Sequence, residues 1–256
     1  MEDITSQTKI RYHLLDELRG FAVVCMVFYH GFYTLFSVFS LESSGILLKF
    51  FMPAEPFFAA LFILISGVAS SLTHSNLRRG LKLLCVAVSL TAVTVLLTLF
   101  GIYQEIFFGI LHLLALSMLL VAVVEKYIYK INLALGSTIS LILFLAFYNV
   151  PNGYLGFGGF SLTLPKIIYS SNWLFWLGFP TKFFFSSDYF PIIPWIFMFF
   201  FGAFLGHYAR IGKFPSALKK KFFSPLDFVG KHALIIYILH QPILFGVFIL
   251  IQAIIK

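Results

Sequence analysis

Seven long runs with almost no charged residues decide what this chain can fold into. They lie near residues 18–41, 53–73, 81–100, 106–124, 132–150, 190–208 and 232–255. A helix rising ~1.5 Å per residue needs about 20 apolar residues to cross a hydrocarbon core ~30 Å thick, and each run meets or approaches that length. Lipid offers backbone N–H and C=O groups no partner, so only helices or a closed barrel can span it, and these runs lack the alternation of strands. The expected fold is an all-α polytopic integral membrane protein, a bundle of about seven transmembrane helices. With 60% of its residues hydrophobic and 11% charged, the chain carries more apolar surface than a soluble protein of 256 residues could bury.

Charge orients the bundle. With seven spans, fourteen of the 18 Lys and Arg residues fall on one side of the membrane and four (Lys49, Lys166, Lys182 and Lys256) on the other. The positive-inside bias then predicts a cytoplasmic N-terminus and an extracytoplasmic C-terminus. The net charge of +8 is thereby explained by anionic headgroups, with no nucleic acid as partner. Residues 1–14 read as a polar cytoplasmic segment without the pattern of a cleavable signal peptide, and 15–256 as a single transmembrane domain. Cys25 and Cys85 both fall in apolar runs and suggest no disulfide framework. Some forty residues separate the fifth and sixth runs, beginning P-N-G-Y-L-G-F-G-G-F and ending S-S-D-Y-F-P. A long aromatic extracytoplasmic loop with so few charges is expected to fold back on the bundle as a lid or re-entrant element.

Polar groups inside the spans are costly and mark candidate sites. His30 follows Arg19 by eleven residues, on nearly the same helix face and roughly 16 Å deeper. His240 lies at similar depth from Lys231, and His112 roughly 10 Å below the opposite face from Glu105. Asp16, three residues before Arg19, is placed to orient its guanidinium or to act as a helix-start acid. Asp188 and Tyr189 close the long loop. Each histidine has an alternative as a packing residue bonded to a hydroxyl or carbonyl. No His/Cys/Asp set has metal-ligand spacing, so no metal is expected.

Four segments carry a resemblance. R-x-H-L-L-D-E-L-R-G-F-A (residues 11–22), F-G-I-L-H-L-L-A-L (108–116), S-S-D-Y-F-P-I-I-P-W (186–195) and L-I-I-Y-I-L-H-Q-P-I (234–243) resemble signatures of the heparan-α-glucosaminide N-acetyltransferase catalytic-domain family. The Arg19-to-His30 spacing is also similar to that of the wider transmembrane acyltransferase group. The resemblance implies an acyltransferase that moves an acetyl group from cytoplasmic acetyl-CoA, as co-substrate, to an extracytoplasmic glycan or amino sugar. It implies His30 as the essential histidine and Arg19 as its basic partner. Lysosomal members are associated with a histidine after the first of these helices, and this chain has none between Gly31 and Thr73. The acceptor, and N- versus O-acetylation, therefore do not carry over.

On that reading His30 is the general base or acetyl carrier, and His240 an oxyanion donor or proton partner, with Asp16 behind Arg19. Arg19, Arg78, Arg79 and Lys82 are the expected contacts for the phosphates of CoA. Asp188, Tyr189, Trp195 and His112 are the expected acceptor contacts. The predicted setting is the cytoplasmic membrane of a prokaryote, and a homo-oligomer is compatible with the sequence. A small-molecule transporter, which also needs polar groups at mid-depth, and a non-catalytic membrane protein are the alternatives.

Overall fold

The computed structural model describes residues 11–102, 104–128 and 130–255. Most of the predicted polar segment 1–14, together with Lys9 and Lys256, lies outside them. Seven helices are long and apolar enough to cross a membrane: His13–Ser37, Glu42–Ser71, Asn76–Phe100, Ile110–Ile128, Leu133–Asn152, Ile192–Arg210 and Ala233–Ile254. Each coincides with one of the seven predicted runs, so the chain is an α-helical multi-pass membrane protein.

The chain divides into two compact units, Met1–Phe62 with Phe214–Lys256, and Ile63–Lys213. The first is built on α1 (His13–Ser37), α2 (Glu42–Phe51), the opening of α3 (Glu55–Ser71), α8 (Ser224–Lys231) and α9 (Ala233–Ile255). Sequence periodicity missed α2 and α8, both too short to span lipid. The two differ in how they are held. In α2, Ser44, Gly45 and Leu48 are buried while Ile46 and Phe50 stand exposed, and Gly45 leaves room for the Phe36 ring. Short α8 packs against α1 backbone to backbone: a Cβ on Gly20 would collide with the Leu226 carbonyl, and one on Gly230 with the Asp16 carbonyl. Small residues permit such close helix crossings.

The second unit holds the rest of α3 and α4 (Asn76–Leu97), α5 (Ile110–Ile128), α6 (Leu133–Phe147) and α7 (Ile192–Arg210). Here too glycines set the crossings. Gly67, Gly202 and Gly206 bring α3 and α7 together, Gly80 admits Leu119 of α5, and Gly136 admits the Phe204 ring of α7. Between α6 and α7 the long loop contains a feature the all-helical expectation lacked, an antiparallel hairpin of β1 (Tyr154–Phe157) and β2 (Phe160–Thr163). Gly158 and Gly159 form its two-residue turn, with Gly158 at φ +61°, a conformation that glycine adopts without steric cost.

Candidate active site

In the first unit, α1 and α9 bring His30 and His240 together, with ring centroids 5.1 Å apart. His240 is buried, and its Nδ1 lies 2.6 Å from the Tyr237 carbonyl one turn back on α9. A carbonyl only accepts, so Nδ1 carries the proton. The neutral ring then has its lone pair on Nε2, and that buried nitrogen has no hydrogen-bond partner among the described residues. Pro242 follows within the same helix, which a membrane span tolerates.

His30 has the complementary tautomer. Its Nδ1 lies 3.3 Å from Nε2 of Gln241, while Oε1 of Gln241 accepts the hydroxyl proton of buried Thr34 at 3.3 Å. The amide thus accepts at one end and donates at the other. His30 Nδ1 is an acceptor, and the proton of the neutral ring sits on Nε2. Thr34 stands four residues after His30 on α1, so one glutamine ties both to α9. The half-buried His30 ring also meets the edge of Tyr29, at 5.5 Å between centroids.

A second polar cluster lies at the N-terminal end of α1. Asp16 takes Arg11 Nε at 2.9 Å on one oxygen and Arg19 Nη1 at 3.1 Å on the other, and Arg19 also donates to the Gly230 carbonyl at 3.4 Å. Asp16 therefore does orient Arg19. Glu17, also buried, accepts the backbone N–H groups of Phe222 and Phe223 at 2.7 and 2.9 Å, just before α8 begins. Asp227 of α8 is buried with three partners: Lys231 at 2.6 Å, His13 at 2.9 Å and Lys221 at 3.5 Å. Burial alone would raise the pKa of that carboxyl. The hydrogen bonds from Lys231 and His13 and the charges of Lys231 and Lys221 outweigh it and hold the value well below the usual carboxylate range.

The other expected contacts belong to the second unit. Arg78, Arg79 and Lys82 are exposed on the first turns of α4, where Ser75 caps the helix by accepting the Arg78 N–H and Arg79 donates to Thr73 at 3.0 Å. Asp188 accepts the N–H of Ile110 at 3.0 Å, satisfying a free donor at the start of α5. His112 uses both nitrogens: Nδ1 accepts from Gly109 N–H, and Nε2 lies 3.3 Å from the Thr91 hydroxyl, whose own proton goes to the Ile106 carbonyl. Tyr189 donates to the Phe175 carbonyl at 2.6 Å; burial, with Tyr169 adding to it, pushes its pKa up and keeps it a donor. Trp195 is buried among Phe144, Tyr148 and Phe190. The end of the long loop is strapped to the segment before α5 by Asp188 on Ile110 N–H and by backbone N–H groups of Ser187 and Phe190 that donate to the Glu105 and Phe108 carbonyls. Among the described residues no three His, Cys, Asp or Glu side chains form a group that could hold a metal ion.

The second and third signature segments meet in the second unit, around Phe108 and Tyr189. In the first unit the fourth segment supplies His240, which meets His30, eight residues beyond the end of the first segment on α1. Over residues 11–242 the chain matches the family described as heparan-alpha-glucosaminide N-acetyltransferase, catalytic. It belongs to that family. No curated protein and no solved structure matches it. Membership implies a membrane-embedded acetyltransferase.

Within this acetyltransferase family member, sequence reasoning passed over Gln241, Thr34, Asp227 and His13. Gln241 sits beside His240 in the fourth signature and His13 within the first, so adjacency was the available signal. Asp227 stands four residues before Lys231, a spacing that pairs charges on a helix, whereas Thr34 carried no signal, because only the fold brings it to Gln241.

Proposed function

We propose that this protein transfers the acetyl group of acetyl-CoA, taken from the cytoplasm, to an amine or hydroxyl of a glycan on the far side of the membrane, at the His30–His240 pair. The observation that carries this reading is the uncommitted, buried Nε2 of His240 beside a histidine of opposite tautomer. The tautomers favour a reversal of the roles expected from sequence. His240 Nε2 is the general base, and His30 Nε2–H is the donor to the thioester oxygen.

As the acceptor nitrogen or oxygen attacks the thioester carbonyl, its proton passes to His240 Nε2. Negative charge develops on the carbonyl oxygen, where His30 Nε2–H stabilises it. Collapse breaks the C–S bond, and His240 returns the proton to the departing sulfur, giving free CoA and the acetylated acceptor. A base of this kind contributes on the order of 10²- to 10⁴-fold. The basic end of α1, with Arg11 and Arg19 fixed by Asp16, supports phosphate binding on the predicted cytoplasmic side. The exposed Arg78, Arg79 and Lys82 are proposed as further phosphate contacts. Acceptor contacts at Asp188, Tyr189, Trp195 and His112 require these groups to exchange their present partners, Ile110 N–H, the Phe175 carbonyl, the Phe144 and Tyr148 rings, and Gly109 with Thr91.

The test uses protein reconstituted in vesicles, acetyl-labelled acetyl-CoA on one side and hexosamines or short glycans on the other. Label is expected on an acceptor, with release of free CoA. Movement of an unmodified sugar across the membrane, without any acetylated product, would instead establish the transporter.

A further inference from the structure

The loop between α6 and α7 has a two-faced hairpin. Partners directly opposite in an antiparallel pair share a face, so the register Leu155↔Leu162 and Phe157↔Phe160 puts four large apolar side chains on one side. Gly156↔Ser161 and Tyr154↔Thr163 occupy the other. The apolar face is bare: Phe157 is 66% exposed, Phe160 91% and Leu162 67%. A two-stranded hairpin is at best marginally stable in water, and among the described residues only Leu155 of these four apolar side chains is half-buried.

Its position says what covers that face. Leu155, Phe160 and Leu162, with Gly156 and Ser161 between them, line an open groove of about 450 Å³ together with Ala146 and Phe147, the last turn of a membrane-spanning helix. The hairpin therefore lies beside the end of that span, on which Ile142 and Leu145 are also exposed. Beyond it Trp173 and Phe183 are 82% and 92% exposed. The only charges from residue 151 to 187 are Lys166 and Lys182, both exposed and suited to lipid phosphates. The outer backbone edge of β2 carries N–H and C=O groups that hydrocarbon would leave unpaired, which limits the depth to the headgroup region.

We propose that this hairpin lies in the membrane interface, with Phe157, Phe160 and Leu162 turned into lipid and Ser161 and Thr163 turned to water. The loop is then a membrane-bound platform beside α6. Nitroxide labels on Phe160→Cys and Ser161→Cys, in a chain with Cys25 and Cys85 changed to alanine and held in phospholipid nanodiscs, read the two faces separately. The 160 label is expected to favour oxygen over a water-soluble nickel chelate several-fold, and the 161 label to show the reverse. Equal chelate access at both positions would overturn the proposal. So would spin–spin broadening at 160 between copies, which would place a second chain on that face.

Discussion

Gly20 and Gly230 face each other where α1 meets α8, and a Cβ added to either would lie 3.0 Å from the backbone nitrogen of the other. The same Cβ atoms would collide with the Leu226 and Asp16 carbonyls, so nothing flexible can yield. Gly230→Ala is expected to cost about 1–3 kcal/mol, the usual range for overpacking. Thermal unfolding in detergent measures it. Because Arg19 donates to the Gly230 carbonyl, donor affinity should fall with stability.

Asp227 gives a charge-dependent prediction. Asp227→Asn leaves Lys231, Lys221 and His13 facing a buried neutral amide and should destabilise the protein by about 3–5 kcal/mol. Its carboxyl titrates below the ordinary value of 3.8 when folded, so the unfolded chain binds the proton more readily. The stability this residue adds is complete above that ordinary value and is lost as pH falls from it through the lower folded value. Wild type should therefore lose stability over that acid range, and Asp227→Asn should lack that part of the slope in unfolding measured against pH.

Asp188 separates support from substrate contact. Removing its bond to Ile110 N–H uncaps α5, an effect worth about 1–2 kcal/mol. Asp188→Ala should lower the melting temperature and speed proteolysis within residues 150–190. Unchanged stability with a raised acceptor KM would instead make Asp188 a direct acceptor contact.

Gln241 orients His30 in this account. Gln241→Leu removes the donor to His30 Nδ1, and Thr34→Val removes the hydroxyl that holds the amide. Loss of one such hydrogen bond, about 1.4 kcal/mol, corresponds to roughly tenfold in rate. Each variant should lower kcat by about that factor with donor KM unchanged, and Thr34→Ser should retain activity. Nitrogen NMR of the His30 ring should show the proton on Nε2 in wild type and mixed tautomers in Gln241→Leu.

The spans were legible because lipid imposes both a length and a composition, and residues 18–41 or 190–208 meet both without reference to any partner. Elements whose form depends on neighbours were less legible. Helix α8 exists as a short piece that Gly20 admits and Glu17 holds, and no periodicity over Ser224–Lys231 announces that. The hairpin was visible only as a glycine-rich turn, since strand pairing rather than composition defines it. Depth arithmetic put His30 and His240 at one level, but their meeting required the fold. Their tautomers required Gln241 and the Tyr237 carbonyl, which no spacing reveals.

The most direct test of the central claim is acetyl transfer from labelled acetyl-CoA by reconstituted wild type, His240→Gln and His30→Gln, with melting temperatures measured on the same preparations. Both variants should fold like wild type and lose on the order of 10²- to 10⁴-fold in rate. Either variant transferring acetyl at close to the wild-type rate would contradict a catalytic pair at His30 and His240.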